Sequence, residues 1–187
     1  MSDALVARFE DACALQAAGR FADARAAYEA LLADAPAGHV VLGPGWANLG
    51  AVLDSLNDRP AARRAHEQAL VVDPDLPAAH LHLGQWWMDA SDPDAPARAE
   101  HHLQEAARRL PDATQPWSSL GALLGCLRRD ADAEACLRLA LQMNPDNAAA
   151  RFNLAYLTLR QGRFEEGWAC LEARPSNPEL AAKVPWP

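Results

Sequence analysis

The chain has 187 residues, half of them hydrophobic but only 6% aromatic, because alanine supplies much of the apolar total. Stretches of β-branched residues are missing, which argues against a sheet, and alanine is the strongest helix former. The net charge is −8, and the cations are almost all arginines scattered among acids (Arg63-Arg64, Arg108-Arg109, Arg128-Arg129) on what read as solvated faces, with no basic stripe for nucleic acid.

No apolar stretch approaches membrane-spanning length, and residues 1–4 lack the charged-then-apolar pattern of a signal peptide, so a soluble, cytoplasmic chain is expected. Cys13, Cys126, Cys136 and Cys170 form no Cys-x-x-Cys pair and match no zinc spacing. Each falls inside a helical pattern, and buried, reduced thiols are expected.

Along the chain, four prolines recur as punctuation: Pro36, Pro74, Pro111 and Pro145, separated by 38, 37 and 34 residues. Between them runs a second series: Trp46-x-x-Leu49-Gly50, His80-x-x-Leu83-Gly84, Trp117-x-x-Leu120-Gly121 and Arg151-x-x-Leu154-Ala155. A third follows about a dozen residues later, with Ala24, Ala62, Ala99 and Ala133, and Gly167 in the last segment. The three series in phase resemble the tetratricopeptide repeat family, whose pattern is W-x-x-L-G-x-x-Y, then A-x-x-x-F, then P, over about 34 residues.

The resemblance implies an all-α fold: a right-handed superhelical solenoid of antiparallel helix pairs, A and B, in about five repeats. We place the repeats at residues 5–38, 43–76, 77–113, 114–147 and 148–174, making 1–174 the solenoid and 175–187 a C-terminal cap or linker. Gly50, Gly84 and Gly121 let helix B approach helix A, and the four alanines do the same from the other side. Trp46, Leu49 and Trp117 fill the space between repeats. Each proline stops a B helix, because it cannot donate the next helical hydrogen bond. Turn signals fall at Gly19-Arg20, Asn57-Asp58 and Gln161-Gly162. Repeat 1 lacks the Trp and Gly of helix A, extra residues sit at 39–42, and the A–B turn of repeat 3 is longer, with Ser91 or Asp92 as the expected helix cap.

In this family helix A lines a concave groove, and the residue before the conserved leucine points into it. Here that position holds Glu10, Asn48, His82, Ser119 and Asn153, all polar. An asparagine amide offers a donor and an acceptor to any peptide backbone, as in the repeats of the O-linked N-acetylglucosamine transferase; equally, the polar side chains serve only to solvate the face. Neighbouring groove positions are Phe9, Gln16, Ala47, Ala51, Asp54, Leu81, Gln85, Ser118, Ala122, Phe152 and Tyr156. Phe152 and Tyr156, one turn apart, offer an apolar anchor or ordinary packing between repeats. The implied function is a scaffold that binds a peptide or protein segment. A cationic clamp is lacking apart from Arg151 and Arg160.

No catalytic centre, metal or cofactor is expected. His80 and His82 are two apart and His101 and His102 adjacent, so each pair diverges on a helix, and His39 and His66 stand alone. There is no H-E-x-x-H, glycine-rich phosphate loop or G-x-S-x-G.

Finally, Gly162, Phe164, Glu166, Gly167, Trp168, Glu172 and Arg174 resemble the closing repeat of arrays joined to bacterial glycosyltransferase domains, with Leu171 where a tyrosine would stand. This implies a second reading, a substrate-recruiting module of a longer chain whose catalytic domain lies beyond Pro187. A third reading is self-association through the solenoid ends, involving Trp186.

Overall fold

A computed structural model describes residues 2–172. They form ten α-helices and, among the described residues, no strand: α1 (Ser2–Ala17), α2 (Phe21–Asp34), α3 (Leu42–Ser55), α4 (Arg59–Val72), α5 (Pro77–Met88), α6 (Ala95–Arg109), α7 (Thr114–Cys126), α8 (Asp130–Met143), α9 (Ala148–Arg160) and α10 (Phe164–Glu172). The chain divides into two bodies, residues 1–109 with α1–α6 and residues 110–187 with α7–α10. In each, consecutive helices form hairpins that stack: α2 on α3 and α4 on α5 in the first body, α8 on α9 in the second. The odd-numbered helices of neighbouring hairpins also touch, α1 with α3, α3 with α5 and α7 with α9. These are the expected helix pairs. The expectations for residues 173–187, Arg174 and Trp186 included, lie outside the described residues.

Helices α2, α4, α6 and α8 end at Asp34, Val72, Arg109 and Met143, each two residues before its proline. The A–B turns need one residue in the left-handed region. Gly19 (φ 72°), Asn57 (φ 61°) and Gly162 (φ 77°) supply it where expected, but the fourth repeat uses Arg128 (φ 63°). An L-residue with a long side chain is disfavoured there by roughly 1 kcal/mol. Arg128→Gly is therefore expected to raise stability by up to about 1 kcal/mol, less glycine's extra unfolded-state entropy; urea denaturation of the two forms checks it. The longer turn of repeat 3 is closed by Asp92, whose Oδ1 accepts from the Asp94 N–H at 2.8 Å and whose carbonyl accepts from the Ala95 N–H at 3.0 Å.

The hairpins close tightly at the expected places. A Cβ on Gly84 would lie 2.6 Å from Leu103 Cγ, and one on Gly121 would lie 2.7 Å from Leu137 Cγ. Ala24, Ala62, Ala99 and Ala133 are fully buried on the B-helix side.

Three expectations need correction. Ala47, Leu81 and Ser118 are buried and do not open on a groove. Ala47 packs on Ala69 and Ala79 of the next helices in the stack. Not all arginines sit on solvated faces: the Arg63 guanidinium lies over the Trp86 and Trp87 rings at 4.7 and 5.2 Å, and Arg109, largely buried, pairs with Glu105 and Asp75. The thiols are free, but they are not uniformly buried. Cys136 is buried, Cys13 and Cys170 are half-buried, and Cys126 at the end of α7 is exposed.

Candidate functional site

Within each body, the repeat register brings three positions together in the gap between stacked hairpins. They are the residue four after the tight-packing position of helix A, the residue four after the buried alanine of helix B, and the residue before the conserved leucine of the next helix A. Because successive hairpins differ at these positions, each gap has its own chemistry.

In the first gap they are Gln16, Tyr28 and Asn48. Tyr28 is fully buried, and its hydroxyl donates to Gln16 Oε1 at 2.9 Å while accepting from the Asn48 amide at 3.2 Å. Cys13 Sγ lies 3.3 Å from the same hydroxyl and 3.5 Å from Asn48 Nδ2. Burial pushes the phenol's pKa well up, so it stays a neutral donor. Phe9 packs at a tilt against Tyr28, 6.1 Å between ring centres. The Asn48 donor group is thus engaged inside the chain. Glu10 is exposed, and Ala51 is half-exposed.

In the second gap the three residues are Asp54, His66 and His82. His66 stands in a slot that holds leucine at the equivalent Leu103 and Leu137. Its ring lies against the bare Cα of Gly50, where a Cβ would approach to 2.4 Å. Its Nε2 is 3.3 Å from Asp54 Oδ2, and His82 Nδ1 is 3.7 Å from the same oxygen. The two imidazoles stack, 4.6 Å apart and 3° from parallel. Burial and the neighbouring His66 lower the pKa of His82 to about 4. Gln85, half-buried, lines the same cleft with Asn57, Arg59, Trp86 and Asp89. His80 and His82 do leave α5 on different sides, as their spacing requires. What no linear spacing reveals is that each meets a partner from another helix.

On the other side of α5, His80 Nε2 is 3.0 Å from the Pro74 carbonyl, an acceptor only, so that nitrogen carries the proton. His80 Nδ1 then accepts from His102 Nδ1, 3.0 Å away, which fixes both tautomers.

In the second body the corresponding residues of α7, α8 and α9 are Gly125, Leu137 and Asn153. Glycine stands here where the first gap has glutamine, and the gap holds a cavity of about 380 Å³, whose walls include Ala122, Asn153, Tyr156, Arg128 and Arg160. Arg160 is anchored by the Gly125 carbonyl and Asp130, and its guanidinium lies 5.7 Å from the centre of the Tyr156 ring. Tyr156 is 62% exposed. Among the described residues, no hydrogen bond engages the Asn153 amide, unlike that of Asn48. Ser119, half-buried, lies on α7. Phe152 is 55% exposed, but it occupies the register position that is buried at Ala47, Leu81 and Ser118, so it faces along the stack.

The closing string has local structural reasons. Gly162 takes the positive φ, Glu166 pairs with Arg138 and Arg163, and Gly167 admits Leu159, whose Cγ would lie 2.5 Å from an added Cβ. Phe164 and Trp168 remain exposed, one turn apart on α10. No helix of the described residues is long and apolar enough to cross a membrane.

A tetratricopeptide repeat profile matches residues 9–53 and 127–179. No curated protein matches the chain in sequence. Among solved structures, the fold is similar to that of PilF from Pseudomonas aeruginosa, with a TM-score of 0.75 and 16% identity over 91% of this chain and 74% of that one. It is similar to a thermophilic protein of the same repeat class from Thermus thermophilus, with a TM-score of 0.69 and 22% identity over 96% of each chain. It is also similar to MamA from Desulfovibrio magneticus, with a TM-score of 0.71 and 12% identity over 90% of this chain and 91% of that one. At these identities the likenesses concern the fold alone.

Proposed function

Since the chain belongs to the tetratricopeptide repeat family, whose members mediate protein–protein interaction, we propose that it is a scaffold that holds an extended peptide segment of a partner protein, with its principal contact in the second body. The observation that supports this most is the cavity of about 380 Å³ beside the Asn153 amide. It is sized for one side chain of a peptide. Asn153 supplies a donor and an acceptor to the peptide backbone, and the exposed Tyr156 ring supplies apolar area. Arg128 and Arg160 wall the same cavity and favour a polar or acidic side chain. Glu10, Ala51, His82 and Gln85 are the candidate contacts within the first body, and Asn48 acts through its place in the Tyr28 network. Ser119 on α7 completes the set.

Peptide selection from a random displayed library on the intact chain, followed by fluorescence anisotropy of the selected peptides, tests the proposal. Asn153→Ala with Tyr156→Ala is expected to weaken binding at least tenfold, about 1.4 kcal/mol. Unchanged affinity in the double variant would overturn the reading.

The two alternative readings, recruitment of substrate for a glycosyltransferase domain and self-association through the solenoid ends, find support in the apolar ridge of Phe164 and Trp168. Self-association calls for a second copy on α10, and under it the library yields no peptide that binds at the Asn153 cavity; a substrate-recruiting module shares the peptide site and differs in placing a catalytic domain against α10.

A further inference from the structure

We infer that Asp54, His66 and His82 form a binding site for a divalent transition-metal ion, Zn²⁺ being the best chemical match. The inference does not rest on the peptide cavity in the second body, because all three residues belong to α3, α4 and α5; His82, named above as a candidate peptide contact, is the one residue the two readings share.

The donor set is two imidazole nitrogens and one carboxylate, the combination that zinc takes in open three-ligand sites with a fourth position for water or an incoming group. One donor atom from each residue lies within 4.8 Å of the others. Around a tetrahedral ion with bonds of about 2.0–2.2 Å, donors sit roughly 3.3–3.5 Å apart. The His66–Asp54 spacing of 3.3 Å meets this already, and the His82–Asp54 spacing of 3.7 Å is a few tenths longer.

The two rings are parallel, so their lone pairs do not converge on one point. His82 keeps 30% of its side chain exposed to the cleft, and a turn about its side-chain torsions aims Nδ1 at the point shared by His66 Nε2 and Asp54. His66 is fixed, with 2% of its side chain exposed.

Two further observations favour a ligand here. First, the slot of His66 holds leucine at Leu103 and Leu137 and the hydrogen-bonded Tyr28 in the first gap, whereas the imidazole leaves Nδ1 buried without a hydrogen-bond partner. Nε2 faces the Asp54 carboxylate, and an ion bound there takes the place of the Nε2 proton, with the ring's proton then carried on Nδ1. Second, Asp54 is not engaged by an arginine. Arg59 lines the same cleft but pairs with Asp89 at 2.9 Å, and the partners of the Asp54 carboxylate among the described residues are the two imidazoles. A bound ion would tie three successive helices together and present its open position to the cleft lined by Gln85 and Trp86.

Calorimetric titration of the untagged, chelator-stripped full chain with Zn²⁺ tests the inference. The expected result is one ion per chain with affinity in the low micromolar range or tighter. His82→Ala and His66→Leu are each expected to weaken it at least ~100-fold, beyond what losing a merely supporting partner does. His66→Leu places in the slot the residue found at Leu103 and Leu137, so it keeps the fold, and circular dichroism confirms that it does. His102→Ala, which alters the separate histidine pair, is expected to leave the affinity unchanged. Absence of stoichiometric binding, undiminished binding in the His82 and His66 variants, or loss confined to His102→Ala would overturn the assignment.

Discussion

Gly121→Val is expected to destabilise the second body by about 3 kcal/mol, the upper end of ordinary overpacking. The reason is geometric. An added Cβ would stand 2.7 Å from Leu137 Cγ, 2.8 Å from its Cδ2 and 3.2 Å from the Ala133 carbonyl oxygen. Leu137 is 1% exposed and Ala133 fully buried, so neither has room to withdraw. The carbonyl belongs to the backbone of α8, and moving it would part the α7–α8 hairpin. Valine then adds two methyl groups to a contact already too short. Gly125→Ala, four residues along the same helix, makes the control. Its Cβ would meet only Ala133 Cβ at 3.9 Å, an ordinary contact, so the gain in helix propensity of roughly 1 kcal/mol is expected to appear as increased stability. Urea denaturation measures both, and amide hydrogen exchange locates the loss. Protection should fall in α7–α9 and persist in α3–α5. A Gly121→Val chain as stable as the parent would mean that the hairpin is looser than its geometry states.

Acid is expected to weaken the first body before the carboxylates titrate. Burial, with His80, His101 and Arg98 adding to it, lowers the His102 pKa from the ordinary 6.5 to about 4. Burial likewise lowers that of His80, which also faces the Pro74 carbonyl, Arg109, His101 and Asp75. A histidine depressed on folding binds its proton more tightly in the unfolded chain. Its stabilising contribution is therefore complete above pH 6.5 and is lost as the pH falls from 6.5 towards 4. The hydrogen bond supplies the mechanism. His80 Nδ1 is the acceptor for His102, so protonating it sets two N–H groups against each other. After discounting for partial solvent exposure, the pair is expected to lose about 2 kcal/mol between pH 7 and pH 5. His102→Ala, which introduces the residue found at the equivalent Ala27 and Ala65, should remove about half of that loss. Denaturation at the two pH values with a chelator present is the measurement, and equal slopes for parent and variant would refute the assignment.

Much of this architecture is legible in the residues themselves. A proline two residues beyond each of four B helices, a small residue at each hairpin contact and glycine or asparagine in three of four left-handed turns are local requirements, and local requirements leave local marks. Arg128 leaves no such mark, because nothing in an arginine announces positive φ; its place in the register does. The groove positions are legible only as a polar series. Ala47, Leu81 and Ser118 lie one position from that series, and a shift of one residue on a helix turns a side chain from the cleft into the stack.

What each polar residue does is decided by its neighbours in the tertiary structure. Asn48 and Asn153 occupy the same position in their repeats. One gives its amide to a tyrosine from the preceding hairpin, and the other faces a cavity because Gly125 and Leu137 stand where Gln16 and Tyr28 stand in the first gap. Asp54, His66 and His82, 12 and 16 residues apart in sequence, form no motif along the chain. They meet because stacked hairpins superimpose positions from three helices. The order of residues along the chain specifies the helices, their pairing and their turns, since these depend on residues a few positions apart. The stack sets the chemistry of each gap, because donors from different helices converge only when the hairpins pack.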